Sequence, residues 1–294
     1  MNYFSILFLA IFITFASGAS SEEALQQKPV VLSGIERILG KHSSSISDDC
    51  KIQIQCALDA FNTVKAKKIV YVSTPITSGK RLYDYMDANG YKTLQDVRGD
   101  REAFFQHVVS PNIEKSERVS SALSKQVDGV VIAPTAFENG RHSQKLEAWG
   151  QHEFMSMWLS LIDQKVTNLV MLDGWQYSNG SGEEYLWAAM MQMGFAARSD
   201  IEIVDEQGTM LNLDKGIKLL YDAFTDVHSR GLKPKNMAET LAALIESEQC
   251  YFNKSHSDHT RTHMPAYDRT EIKTIADELH MIFAKDYPEL LIGL

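Results

Sequence analysis

Residues 168–188 read Asn168-Leu169-Val170-Met171-Leu172-Asp173-Gly174-Trp175-Gln176-Tyr177-Ser178-Asn179-Gly180-Ser181-Gly182-Glu183-Glu184-Tyr185-Leu186-Trp187-Ala188. Their order decides the fold. Leu169 to Leu172 is a short apolar run bounded by turn formers, the pattern of a strand buried on both faces. Asp173 to Gly182 is rich in residues that favour loops and tight turns. The spacing of Tyr185, Leu186, Ala188, Ala189 and Met193 predicts a helix that opens near Glu183 and closes at Gly194.

The same alternation recurs outward from this stretch. Lys68-Ile69-Val70-Tyr71-Val72-Ser73 is a β-branched run that predicts a first strand ending before Pro75. The loop Thr74 to Lys80 follows, then a helical pattern from Arg81 to Asn89 stopped by Gly90. Val127 to Pro134 predicts a second strand, Phe154 to Ile162 an amphipathic helix, and Ile201 to Val204 a fourth strand. Strands alternating with helices specify an α/β fold of the Rossmann-like or flavodoxin-like kind, a parallel sheet flanked by helices. Ligands of such sheets bind beyond the carboxyl ends of the strands, so the polar loops after the first and third strands are expected to meet at one crevice.

Upstream, Val31 to Leu39 and Ile52 to Val64 have helical apolar spacing, separated by a serine-rich linker with Ser47 or Asp48 available as a helix cap. Downstream, Asp214 to Leu294 reads as a helical C-terminal extension. The expected organisation is a signal peptide at 1–19, a helical lead-in at 20–67, the α/β domain at 68–205 and the extension at 206–294. No repeat of solenoid length stands out.

With 294 residues, 44% hydrophobic and 23% charged, the chain has the composition of a globular protein, not of a disordered or collagen-like one. The formal net charge of −9 argues against a nucleic-acid clamp, which needs a basic stripe. A small anionic ligand is compatible with it, because a helix N-terminus or a few donors suffice to hold one. Tyr3 to Ala16 is an apolar run followed by small residues at Ser17 to Ser20, which predicts a cleaved signal peptide and a secreted or periplasmic protein with no stable membrane anchor after cleavage. Cys50, Cys56 and Cys250 permit one disulfide in an oxidising compartment. A Cys50–Cys56 bridge would need a break in the helix, pairing of Cys250 with either is equally open, and the cysteines read as structural.

Chemistry concentrates in the loop and helix after the third strand. Two glutamates are expected in the first turn of that helix, where backbone N–H groups favour the ionised carboxylate. An ionised carboxylate at a crevice suits a glycosyl-transferring nucleophile. Gly180 and Gly182 would let a ligand approach the main chain, with Ser178 and Ser181 adding hydroxyl donors. Acidic residues also occupy first helical turns simply as partners of the helix dipole.

Gly174-Trp175-x-x-Ser178-x-Gly180-Ser181-x-x-Glu184-x-x-x-Ala188 resembles the signature of the nucleoside 2-deoxyribosyltransferase-like superfamily, in particular its branch reading G-W-x-x-S-x-G-A-x-x-E. Tyr71 to Gly79 resembles that superfamily's first strand and glycine loop, and Val131-Ile132-Ala133-Pro134 its second strand end. The resemblance spans roughly Lys68 to Val204. It implies that Glu184 is the nucleophile that attacks the anomeric carbon, with Tyr71 contacting it. Ser178 and Ser181 would hold the 5′ group, and the serine at 178 tilts the reading toward a phosphorylated ligand. Gly79, Pro75, Gly180 and Trp175 fall in the motifs that surround the ligand. The implied function is cleavage of the N-glycosidic bond of a nucleoside or nucleotide, by an N-glycosidase or deoxyribosyltransferase, without metal or cofactor, in a homodimer.

The chain also departs from the family pattern. Trp158 stands where active members carry an aspartate that assists the leaving base, and Asn168 where many carry another. Asp173 is the nearest substitute acid. Cleavage of the nicotinamide–ribose bond of NAD needs no protonated leaving group and is the alternative within the same chemistry. A non-catalytic nucleotide-binding module is the alternative outside it. His256, His259 and His263 lack a carboxylate that completes a zinc motif and read as a solvated loop, while Met190, Met191 and Met193 read as packing.

Overall fold

The computed structural model describes residues 42, 46–138, 149–257 and 264–293. The N-terminal apolar run, the Val31–Leu39 spacing and the side chains of His256, His259 and His263 lie outside the described residues. Strands β1 (Ile69–Ser73), β2 (Val130–Ile132), β3 (Asn168–Met171) and β4 (Glu202–Asp205) form one parallel sheet in the order β2-β1-β3-β4. The α/β architecture expected from the alternating pattern is therefore present. Strand β2 is shorter than its apolar run, because Val127 still closes the preceding helix through its N–H to Leu123 O, 2.9 Å away.

Eleven α-helices lie among the described residues: α1 (Asp48–Asn62), α2 (Lys80–Asn89), α3 (Leu94–Gly99), α4 (Arg101–Phe104), α5 (Ser110–Ser124), α6 (Thr135–Glu138), α7 (Gln151–Lys165), α8 (Asn179–Gln192), α9 (Leu213–Ser229), α10 (Lys235–Ser257) and α11 (Arg269–Asp286). A π-helical turn, Phe105–Val109, joins α4 to α5. Ser47 caps α1 by accepting the Cys50 N–H, and Gly90 ends α2 in the left-handed conformation at φ 69°. Among the described residues after β4, the chain folds mainly as helices, as expected.

Alternation along β1 divides the core. Ile69 and Tyr71 face a large apolar cluster shared with α1, α7, α8 and the C-terminal helices, while Val70 and Val72 face a small one closed by Val119 and Leu123 of α5. Helix α8 packs between α7 and α10, and Ser181 through Gln192 are all buried. This explains why its sequence is apolar on every side.

The start of α8 differs from expectation. It begins at Asn179, capped by Ser178, so Glu183 and Glu184 fall in the second turn and the first turn carries no acidic residue. The glycines that suggested a loop are helical. A Cβ at Gly180 would stand 3.3 Å from Met155 Sδ, and one at Gly182 would stand 3.6 Å from Leu220. Their small size serves close helix packing. No disulfide links Cys50, Cys56 and Cys250 to one another: Cys50 is buried and Cys56 exposed on the continuous helix α1, which turns them apart.

Candidate functional site

Between β1 and β3 the chain order reverses, since the next strand after β1 lies on one side and β3 on the other. A parallel sheet opens its ligand crevice at such a point, beyond the carboxyl ends of the strands. Two loops meet there. Gly79, held at φ 83°, would place a Cβ 2.6 Å from Pro75 Cβ and 3.5 Å from Gly174 O, so the turn after β1 closes only with glycine and touches the turn after β3. Asn112 of α5 fastens the first loop by donating to Ile76 O and Ser78 O, and its Oδ1 accepts from Arg81 Nε.

Glu184 sits at this junction, 4% exposed. Tyr71 Oη donates to Glu184 Oε1 at 2.5 Å and Ser73 Oγ donates to Glu184 Oε2 at 2.5 Å. Tyr71 and Ser73 alternate on β1 and so leave the same face of the sheet. Two hydroxyl protons thus converge on one carboxylate and fix its plane. Trp158 lies edge-on to Tyr71, with ring centroids 5.9 Å apart, and to Phe137 at 5.5 Å. It is a core residue that backs Tyr71, 1% exposed.

The other expected site residues divide into two groups. Ser178 and Ser181 are buried beside Glu184 in sequence, at the first turn of α8. The Ser178 hydroxyl accepts the Ser181 N–H at 3.5 Å, which leaves its own proton to donate. Asp173 and Trp175 instead line a cavity of about 550 Å³ beyond the carboxyl ends of β3 and β4, together with Met171, Asp205, Glu206 and Leu211. Neither Tyr71 nor Glu184 lines that cavity. The Asp173 side chain is exposed, and its backbone N–H donates to Glu206 Oε2 at 2.9 Å. Burial alone would raise the Glu206 carboxyl. The Lys115 ammonium hydrogen-bonded to it, with the Asp173 N–H and Gln207, together hold it below the ordinary glutamate range.

The acidic neighbours of Trp158 are committed elsewhere. Glu153 accepts the Gly150 N–H at 2.8 Å and caps α7. Burial pushes the Asp163 carboxyl up, partly offset by Arg198. Asn168 opens β3 at the amino-terminal edge of the sheet, opposite the crevice, and donates to Glu202 Oε2 at 2.5 Å. Its identity therefore bears on the sheet rather than on the site.

Sequence reading missed three participants. Ser73 was recoverable from the period of two that it shares with Tyr71. His42 and His152 had no local signal: His42 Nε2 lies 2.7 Å from Glu183 Oε2 and its Nδ1 lies 3.1 Å from His152 Nδ1, across 141 and 110 residues of chain. Among the described residues no group of three His, Cys, Asp or Glu side chains is placed to hold a metal ion, and no helix is long and apolar enough to cross a membrane. Comparison with family models, curated proteins and solved structures finds no match to this chain.

Proposed function

We propose that the protein cleaves the N-glycosidic bond of a nucleoside or nucleotide, with Glu184 as the nucleophile. The observation that carries this reading is the Glu184 carboxylate held by Tyr71 and Ser73 at the point where strand order reverses. A carboxylate with a fixed plane can attack a sugar C1 to give a covalent glycosyl-enzyme, which water or a second base then resolves. Ser178 and Ser181, in the first turn of α8, supply hydroxyls and helix N–H groups to the 5′ group. The serine at 178 favours a 5′-phosphate, where an aspartate would repel it. Homodimer formation and export belong to the same proposal, on the family resemblance and the N-terminal apolar run respectively.

A second reading has its own support. Glu184 is 4% exposed and both its oxygens already accept hydrogen bonds, as expected of a buried polar group in a binding module that does no chemistry. Incubation with purine and pyrimidine nucleosides, their 5′-monophosphates and NAD separates the two. Free base released by wild type, and reduced at least ~10³-fold in Glu184→Ala, supports the enzyme. Ligand binding without release of base, unchanged by Glu184→Ala, supports the module.

A further inference from the structure

Beside Glu184 the helix carries a second buried carboxylate that nucleophilic attack does not use. Glu183 is 4% exposed, and His42, 3% exposed, meets it at 2.7 Å through Nε2. The other ring nitrogen of His42 meets His152 Nδ1 at 3.1 Å, with the ring centroids 5.2 Å apart. With Glu183 ionised and both imidazoles neutral, one proton assignment satisfies both contacts. His42 Nε2–H donates to Glu183, His42 Nδ1 accepts, and His152 Nδ1–H donates to it. His152 Nε2 then carries the lone pair of the chain.

Topology places His152 at the crevice edge of the sheet. Helix α7 leads from β2 into the parallel strand β3, so it runs against the strands and starts at their carboxyl ends, as α8 does. His152 is the second residue of α7, and Gly180 in the first turn of α8 lies against Met155 one turn further along α7. The residue is half-buried, with its ring against the buried His42.

We infer that His152 is the acid–base residue of this site, with Glu183 and His42 as its positioning residues. The inference rests on the glycosidase reading of Glu184. As the bond between C1 and the base nitrogen breaks, its electron pair stays on the base. The His152 Nε2 proton moves to that base, and Glu184 Oε bonds to C1. Before this step the extra proton of the relay resides on His42 Nδ1, where the Glu183 carboxylate stabilises the imidazolium. It returns to His152 Nδ1 as Nε2–H is given up. In the second half, water attacks C1, its proton passes to His152 Nε2 and the ester to Glu184 breaks. The ring meets His42, which in turn meets Glu183 of α8; Glu153 on its own helix is engaged by the Gly150 N–H.

Two substrates differing only in the leaving group provide the test: a purine nucleoside 5′-monophosphate, whose base leaves protonated, and nicotinamide mononucleotide, whose base leaves neutral without a proton. In His152→Gln, release of purine within a single turnover, before the water step that both substrates share, is expected to fall about 10²–10⁴-fold while release of nicotinamide in the same turnover changes less than about threefold. In Glu183→Gln, which keeps a hydrogen-bonding group beside His42, single-turnover release of purine is expected to fall by a smaller factor while release of nicotinamide again changes less than about threefold, the same split by leaving group. Equal loss on both substrates in His152→Gln, or no loss on either, overturns the role of His152 and leaves Glu184 standing. Turnover of neither substrate by wild type overturns the glycosidase reading and this role with it. Thermal melts of each variant confirm that a folded protein is being compared.

Discussion

Tyr71 has no exposure to solvent, so water cannot replace the hydrogen bond that its hydroxyl donates to Glu184. Tyr71→Phe removes that donor and leaves one carboxylate oxygen less satisfied in the core. A stability loss of about 1–3 kcal/mol is expected, read as a shift of the urea midpoint with unchanged slope. Base release should fall as well, because the carboxylate plane then loses one of the hydroxyl donors that fix it. If the variant is as stable as wild type, the contact does not organise the core. At this scale the sequence exposes only part of the site. Glu184, Tyr71, Ser178 and Ser181 were all legible as candidates, because each falls in a contiguous motif. Ser73 stood inside one of those motifs without being singled out.

The N-terminus of α8 shows how one element can carry two roles. Ser178 accepts the Ser181 N–H as a helix cap, and the same hydroxyl is proposed to meet the 5′ group of a ligand. Substitution separates these roles. Ser178→Ala loses the cap and should destabilise by about 0.5–2 kcal/mol, whereas Ser178→Gly should lose only a few tenths, since glycine tolerates the cap position. Nucleotide affinity should fall by the same factor in both variants if the hydroxyl contacts the ligand. Parallel thermal melts and equilibrium binding of a nucleoside 5′-monophosphate measure the two effects. Affinity that merely tracks stability would leave Ser178 a cap and nothing more. The position of the helix start also shows what local chemistry conceals. Gly180, Ser181 and Gly182 have loop propensities, yet Met155 and Leu220 approach so closely that small residues are needed in a helix there.

Across the whole molecule, Glu206 ties together segments that are distant in the chain. It pairs with Lys115 of α5 at 2.6 Å and accepts the N–H of Asp173 at the end of β3. Its carboxyl is held below the ordinary range, so the folded state gains from its ionisation. That gain is complete above the unfolded glutamate value of about 4.3 and is lost as pH falls through the lower folded-state value. Glu206→Gln should therefore be less stable than wild type near neutral pH, with the difference shrinking in acid. Thermal melts between about pH 7 and pH 3 measure it, and a difference that stays constant across the range refutes the linkage. The same long-range logic governs the core, since α8 is buried from Ser181 to Gln192 between α7 and α10, which are distant from each other in the chain.

Apolar runs at Ile69–Ser73 and Asn168–Met171, and the helical spacing between them, determine the parallel sheet without outside information. The reason is that side-chain period and burial are local consequences of backbone geometry. The meeting of Glu184 with Ser73, and of His42 with Glu183 and with His152, is a tertiary matter. These side chains are brought together from positions more than a hundred residues apart in the chain, and no periodicity records which distant groups will share a buried hydrogen bond. Burial then makes the pairing obligatory, because a carboxylate removed from water has to find its donors within the protein.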